Sequence, residues 1–431
     1  MHSNATYPAV AVLYRSPPGI EMARLLPHIF HICMVKVFLF YGNSPGNSET
    51  RWLMEFIYEG ILSVTWQQTA MYLIGILLIW LAVKKEYEPS LLLPMGFGAI
   101  LVNLPSSGVL NQVLDGAGEI NGIIEWLFHI GIEASEALPI LLFIGIGAMI
   151  DFGPLLSKPV MFLFGAAAQF GIFSAIVIAS LLGFDLKDAA SIGIIGAADG
   201  PTAILVSQIL HSDYIGAIAV AAYSYMALVP IVQPFAIRLV TTKKERCIRM
   251  EYKPSQVSRT MRLVFPVAVT FIVGFIAPSS VALVGFLMFG NLIRECGVLG
   301  SLSETAQTTL SNLITLILGI TISFSMQAED FIRVDTLLVM GIGLAAFILD
   351  TIGGVLFAKA LNLFLHKKIN PMVGAAGISA FPMSSRVVQK LAMEEDPGNV
   401  LIMQAAGANV SGQIASVIAG GLVIHLVTKY L

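Results

Sequence analysis

The amino-acid sequence predicts an all-α, polytopic membrane protein of about ten to twelve membrane segments in two repeats, each repeat holding one helix broken by Gly and Pro. Three observations predict it. The 431 residues are 56% hydrophobic and only 12% charged, with a mean hydropathy of +0.83, whereas a soluble domain carries about 25% charged residues. From residue 67 onward, apolar stretches of the length a bilayer-spanning helix needs, about 20 residues, follow one another with short polar breaks. Two Gly-rich segments far apart in the chain also match each other position by position. A soluble core cannot absorb so large an apolar excess, and nothing in the sequence suggests a nucleic-acid partner.

Taken in order, residues 1–53 read differently from the rest. Their polarity is mixed, the apolar run 29–41 is too short to span, and a polar Gly/Ser/Asn stretch follows. The run starts too late for a signal peptide and lacks a small-residue cleavage site. This part is expected to be a disordered extension or the product of a start codon placed too early, with Met54 opening the functional protein.

Helical segments are then expected over 69–83, 91–104, 138–150, 160–182, 189–210, 215–237, 263–277, 279–292, 308–326, 334–364, 369–391 and 400–427. They divide into a first membrane repeat, 54–240, a basic loop, 241–262, and a second membrane repeat, 263–431. The loop carries Lys243, Lys244, Arg246, Arg249, Lys253 and Arg259 against only Glu245 and Glu251. By the excess of Lys and Arg on the inner side of membranes it is expected to be cytoplasmic.

Cys33, Cys247 and Cys296 have no metal or redox spacing. His129, Glu133 and Glu136 share one helical face at i, i+4 and i+7, a spacing that a metal site can use but that more often marks a polar face.

The repeat shows when GIIGAADGP (193–201) is laid on GAAGISAFP (374–382): Gly193 and Gly374, Gly196 and Gly377, Pro201 and Pro382, Gln208 and Gln389, and Leu210 and Leu391 are all 181 positions apart. Downstream, residues 221–225 lie against 405–409 after a three-residue insertion, and upstream Pro89 and Gly96 parallel Pro278 and Gly285. If the 279–292 segment is too short to cross, the two broken helices have opposite topology, so the repeats are read as inverted.

Proline inside a membrane segment removes a backbone donor and disfavours helix at the residue before it, yet suits the first turn of a new helix. Each Gly-rich segment therefore reads as half-helix, unwound stretch and fresh helix. Unwound backbone survives at membrane depth only where it is buried in protein or lines a wet cavity. Its free carbonyls suit a hard cation, and the amides at a positive helix end suit an anion.

Asp199 immediately precedes the second half-helix of the first break. An intramembrane carboxylate marks a functional site, and Asp is also among the best helix N-caps; both roles are open to it and they are compatible. Arg386 lies one turn into the helix after Pro382, where a cation opposes the dipole. It reads either as a bidentate clamp for a carboxylate, from a substrate or from a side chain such as Asp199, or as an arginine snorkelling to a membrane face. Ser379, Ser384, Asn370, Tyr225 and Asn409 supply neutral oxygens of the kind Na⁺ accepts, although such residues also serve merely to bond neighbouring helices.

At these residues the chain resembles a known family, the membrane-embedded β subunit of the sodium-pumping, biotin-dependent decarboxylases. The resemblance rests on GAADGPTAI (196–204), AYSYMALVP (222–230), NPMVG (370–374) through Ser379 to Arg386, and GANVSG (407–412), and it covers residues 54 to 431. It implies that the subunit decarboxylates carboxybiotin, which a biotin carrier protein presents from the cytoplasm and which is not attached to this chain. It implies further that release of CO₂ is coupled to Na⁺ export across the cytoplasmic membrane. Members act on oxaloacetate, malonate, methylmalonyl-CoA or glutaconyl-CoA, and a separate carboxyltransferase subunit makes that choice. A small membrane-anchoring subunit and further copies of this chain are the other expected partners. By resemblance the functional set is Asp199, Tyr225, Asn370, Gly374, Ser379, Arg386 and Asn409. Asp199, Asn409 and Ser379 are then expected to hold Na⁺, Arg386, Asn370 and Gly374 to receive carboxybiotin, and Arg386, Tyr225 and Asp199 to take part in the chemistry. The rival from another class is an ion-coupled secondary transporter, a Na⁺/H⁺ antiporter or carboxylate symporter, with the same broken-helix repeats. A purely structural membrane anchor would leave Asp199 and Arg386 without purpose.

Overall fold

The computed structural model describes residues 63–86, 89–114, 118–134, 137–251 and 257–430. Residues 1–53, Met54, Glu136 and Lys253, on which expectations were placed above, lie outside the described residues.

The first helix of the described residues is α1 (Trp66–Lys85), whose start is fixed by a capping box: Thr65 accepts from the Gln68 amide while Gln68 bonds back to Thr65, and Lys84 and Lys85 sit favourably at the negative end. It packs on α2 (Pro89–Asn103). A two-stranded antiparallel hairpin, β1 (Asn111–Leu114) and β2 (Gly118–Asn121), pairs Asn111 with Asn121 and is a small departure from an all-α fold. Next come α3 (Ile123–Phe128), which continues as a π turn over His129–Glu133, and α4 (Ala137–Met149). His129 bonds both Glu125 and Glu133, so two of the three residues noted in the sequence are tied to each other.

A short helix (Gly153–Ser157) leads to α5 (Phe162–Ala167) and α6 (Phe170–Leu181). The first Gly-rich segment follows as α7 (Leu186–Gly193), a 3₁₀ stretch (Ile194–Ala197) and α8 (Gly200–Ile209). Long α9 (Ile215–Val240) comes next, bent by 72° between Ile215–Met226 and Leu228–Val240. Pro230 accounts for the bend, because it has no N–H to give the carbonyl of Met226 and its ring presses on that turn.

Beyond the basic loop are α10 (Arg259–Ile276), α11 (Val281–Cys296), α12 (Ser311–Ile322) and the long α13 (Val334–Phe364). The second Gly-rich segment is α14 (Met372–Ala375), an irregular stretch and α15 (Met383–Glu395), and α16 (Ile402–Tyr430) ends the fold. The same succession therefore occurs twice: short helix, break, fresh helix beginning at a Gly-Pro or Pro, then a long helix.

Among the described residues, seven helices are long and apolar enough to cross a membrane, and nine if each of two bent pairs is one span. The broken segments and the 15-residue α2 fall short of that length test because their helices are interrupted or brief. One expectation needs correction. The segment read as 279–292 is 19 residues long, Pro278–Cys296, and long enough to cross. Its polar tail is sustained by contacts the sequence does not reveal: Asn291 donates to the carbonyls of Ile150 and Gly147, and Arg294 to that of Met149. Shortness of this segment therefore no longer argues that the repeats are inverted.

Candidate functional site

The two breaks touch. Ser379, in the irregular stretch before α15, donates from its hydroxyl to the carbonyl of Ala197, 2.5 Å, and from its amide to the same oxygen, 3.3 Å. Ala197 ends the 3₁₀ stretch of the first break, and the next residue, Ala198, is left-handed at φ 52°. A non-glycine residue pays about 1–2 kcal/mol for that conformation. The strain is located where the chain must turn to begin α8 at Asp199.

Asp199 is 4% exposed and stands at the N-cap position of α8. Its side chain makes no N-cap hydrogen bond. Instead Oδ2 accepts from the hydroxyls of Thr202, 2.7 Å, and Ser416, 3.0 Å, and from the Gln413 amide, 3.3 Å. Asp199 therefore stands at the cap position with its carboxylate taken up by side chains of α8 and α16. The hydroxyl oxygens around it keep lone pairs, the electron pairs that a cation ligand needs.

Gln413 and Ser416 lie on α16, as does Asn409, and the spacing 409, 413, 416 puts all three on one face. Asn409 donates to the carbonyl of Ile378, 2.7 Å, and at 3.5 Å to that of Ala380, both in the second break. Its Oδ1 is buried without a hydrogen-bond partner among the described residues. One helix thus holds the first break through a carboxylate and the second through two carbonyls. Thr202, Gln413 and Ser416 escaped the sequence reading, although a polar stripe at i, i+4 and i+7 in an otherwise apolar span was visible there.

The other expected residues are placed apart from Asp199. Tyr225 donates to the carbonyl of Met340, 2.5 Å, so its hydroxyl is taken up by α13. The phenol at the carboxylate is Tyr223: its ring lies against Gly200, where a Cβ would come within 2.3 Å of it, and its hydroxyl has no partner among the described residues. Asn370 is fully buried, but it ties down the basic loop, donating to the carbonyls of Arg246, 2.7 Å, and Ile248, 2.8 Å. Gly374 is a crossing point. A Cβ there would lie 2.0 Å from the carbonyl oxygen of Gly354 on α13. Ser384 accepts from Gln233, 2.6 Å, which also donates to the carbonyl of Ala375 and so ties the two sides of the second break to α9.

Arg386 is exposed and forms no ion pair among the described residues, so it does not reach Asp199. It opens onto a groove of about 470 Å³ lined also by Gln389, Lys390, Met393, Glu394 and Ile402. Beside the groove, acidic residues at the end of α15 meet the basic loop. Arg238 pairs with Glu394, 3.2 Å, Arg246 with Glu395, 2.9 Å, and Arg249 with both oxygens of Asp396, 2.7 and 2.9 Å. Hydrogen bonding from Arg249, and then from the Gly398 amide, holds the Asp396 carboxyl below the usual carboxylate range. Arg246 and Arg249 of the loop, and Arg238 on α9 beside it, are thus matched locally.

Comparison with known proteins places this arrangement. Residues 67–427 match the family model described as the Na⁺-transporting oxaloacetate decarboxylase beta subunit. The chain is 44% identical over 396 residues to the methylmalonyl-CoA decarboxylase subunit beta of Propionigenium modestum, covering 87% of this chain and 98% of the relative. It is 43% identical over 369 residues to the glutaconyl-CoA decarboxylase subunit beta of Acidaminococcus fermentans, covering 86% and 96%. It is 40% identical over 422 residues to the probable oxaloacetate decarboxylase beta chain of Vibrio cholerae, covering 85% and 97%. With a family match across nearly all the described helices, apolar spans in number and a buried carboxylate where two broken helices meet, the chain belongs to the β subunits of the Na⁺-transporting, biotin-dependent decarboxylases, multi-pass membrane proteins that couple decarboxylation to sodium transport.

Proposed function

We propose that Asp199 is the Na⁺-coupling group of this subunit and that the groove at Arg386 receives the carboxylate of carboxybiotin, presented by a partner carrier domain. The observation that carries the reading is the carboxylate of Asp199 held by Thr202, Gln413 and Ser416 at the contact of the two breaks. Na⁺ there takes Asp199 Oδ2, the hydroxyl oxygens of Thr202 and Ser416, and oxygens of Asn409 and Ser379 from the second break. One full negative charge and several neutral oxygens suit a monovalent cation.

Arg386 lies outside this cluster, which separates the roles. It provides a planar two-donor fork for a carboxylate at the mouth of the groove, with Lys390 adding positive charge. In decarboxylation the N–C bond of the carbamate breaks, CO₂ leaves and the nitrogen takes one proton. Asn370 and Gly374 act on this step from a distance, by fixing the loop and the helix crossing behind the second break, and Tyr225 by fixing α9 on α13. The basic loop is assigned to the cytoplasmic side, where the carrier arrives, and the acid decarboxylated is chosen by a separate carboxyltransferase subunit. A small anchoring subunit and further copies of this chain complete the assembly.

Asp199→Asn tests the reading. It keeps size and one coordinating oxygen while removing the charge. In the wild type Na⁺ should protect the protein against heat, and the protection should weaken as pH falls, because protons and Na⁺ compete for one carboxylate. The Asn variant should neither pump Na⁺ nor show that competition. Normal Na⁺ transport by it would move the coupling site elsewhere. Sensitivity of transport to avidin separates the decarboxylase reading from a simple antiporter.

A further inference from the structure

A second carboxylate lies inside the fold. Asp350, in the middle of α13, is fully buried. Its two oxygens are treated very differently. Oδ1 accepts from the backbone amides of Gly171 and Ile172, the latter at 3.2 Å, at the start of α6. Oδ2 has no hydrogen-bond partner among the described residues. It faces the first break instead: a Cβ on Gly196 would sit 2.9 Å from Oδ2 and 2.8 Å from the Cβ of Ala346.

Among the described residues, no cation faces this oxygen from the surrounding elements. Helices α5, α6 and α14 carry no ionisable side chain. On α7, Asp188 is bonded to Ser212 and the Asp213 amide, and Lys187 lies at the end away from the break. On α9, Tyr225 is held by Met340 and Arg238 by Glu394, while Tyr223 packs on Gly200. On α13 itself, Asp335 is exposed near the start and Lys359 pairs with Glu245. In the short helix before it (Ala328–Phe331), Glu329 and Asp330 are exposed. Asp199 is engaged with Thr202, Gln413 and Ser416.

A charge on Oδ2 would therefore be buried without a donor or counter-ion, and a group so placed neutralises rather than stay charged. Na⁺ does not fit as the neutralising cation, because it needs several oxygens around it and the backbone of Gly196 stands directly against Oδ2. A proton needs no room.

Building on the reading of Asp199 as the Na⁺ site, we propose that Asp350 is a second exchangeable carboxyl group of the transport cycle, a proton site whose Oδ2 carries the proton while Gly196 lies against it. Loss of the proton, COOH to COO⁻ and H⁺, puts a charge on the face that touches the 3₁₀ stretch. That state is tolerated only if the stretch moves to admit water or donors. Three residues further on is Asp199, so the movement is transmitted directly to the Na⁺ site. The two carboxylates then divide the work, Asp199 binding Na⁺ and Asp350 the proton, on either side of one bistable segment.

Infrared spectroscopy of the purified full-length chain in lipid bilayers, with ¹³C in the aspartate side-chain carboxyl, tests this without a variant. At neutral pH and saturating Na⁺ a protonated aspartate C=O band should persist, because Na⁺ removes only any contribution from Asp199. Asp350→Asn keeps an acceptor for Gly171 and Ile172 and fixes the side chain neutral. It should abolish the persistent band, keep Na⁺ protection against heat, and lower Na⁺ transport at least about tenfold, the scale of coupling between two sites. Absence of the band in the wild type, or full transport by Asp350→Asn, would overturn the proposal. If Na⁺ fails to protect the wild type while the persistent band is present, the Asp199 reading fails and the proton site at Asp350 stands.

Discussion

The hydroxyl of Ser379 donates to the carbonyl of Ala197 across 2.5 Å, and this bond joins two segments that stand 182 residues apart in the chain. Each segment alone is a helix with a gap. Together they satisfy part of each other's exposed backbone at membrane depth, where no bulk water can do so. The bond is therefore both structural and a point at which the two halves sense each other. Ser379→Ala removes the hydroxyl donor and leaves only the longer amide contact at 3.3 Å. It should cost about 1 kcal/mol of stability and weaken Na⁺ protection in thermal melts. Unchanged Na⁺ protection would mean that the contact merely closes the fold.

Packing at Gly374 leads to a sharper contrast between two glycines. A methyl group at Gly374 would meet the carbonyl oxygen of Gly354 at 2.0 Å, and that neighbour is backbone on a long helix that cannot rotate away. Gly341, on the same helix α13, is exposed with nothing within 4 Å of a built Cβ. Gly374→Ala should destabilise by about 1–3 kcal/mol or more through overpacking, whereas Gly341→Ala should stabilise by about 0.4–1 kcal/mol. Melting temperatures of the two variants in one detergent give the comparison directly. Equal melting temperatures would show that the crossing of α13 and α14 yields more readily than its geometry implies.

The clamp between the basic loop and α15 has a pH dependence of definite sign. Asp396 is held below the usual carboxylate range by Arg249 and the Gly398 amide, so its contribution is fully present above the unfolded carboxylate value of about 3.9 and is lost as pH falls through the lower folded value. Between pH 5 and 7 hydrogen exchange in residues 243–251, corrected for the intrinsic pH dependence of amide exchange, should stay flat. Below about pH 4 it should rise. Arg249→Ala should give fast exchange at every pH. A transition of the wild type near pH 6 would assign the loop's anchoring to some other group.

Much of this was legible in the sequence, for identifiable reasons. Helix positions follow from apolar length, and the broken helices from Gly and Pro at membrane depth, because both signals are local. Asp199, Asn409 and Ser379 could be singled out as polar residues in apolar runs. What could not be read was which polar atom meets which. Tyr225 and Tyr223 are two residues apart on α9, and only packing decides that the first bonds Met340 while the second lies on Gly200. Asp350 was visible as a lone carboxylate inside α13, but its unpartnered oxygen exists only because Gly171, Ile172 and Gly196 converge there. The polar continuation of α11 past residue 292 likewise depends on carbonyls of α4 and the residue after it, which Asn291 and Arg294 reach in space.

Arg386 carries the last prediction, because the structure removes one of its two possible carboxylate partners. Asp199 is satisfied by Thr202, Gln413 and Ser416, and Arg386 faces the groove with Lys390 and Glu394 near it. If it clamps an incoming carboxylate, the planar fork matters as well as the charge. Arg386→Lys keeps the charge but offers a point donor, so turnover should fall by about tenfold to a hundredfold, the loss that accompanies misplacement of a reacting group by about 1 Å. Na⁺ protection against heat should be unaffected, since the Na⁺ ligands lie elsewhere. Arg386→Ala should lose turnover further and also leave Na⁺ protection in place. A snorkelling arginine behaves in the opposite way: Lys would replace it at near-normal rate, because both stems place a cation at the membrane face. Turnover and Na⁺-dependent melting measured on the same preparations of both variants separate the two, and near-normal turnover of the Lys variant would remove Arg386 from the carboxylate site.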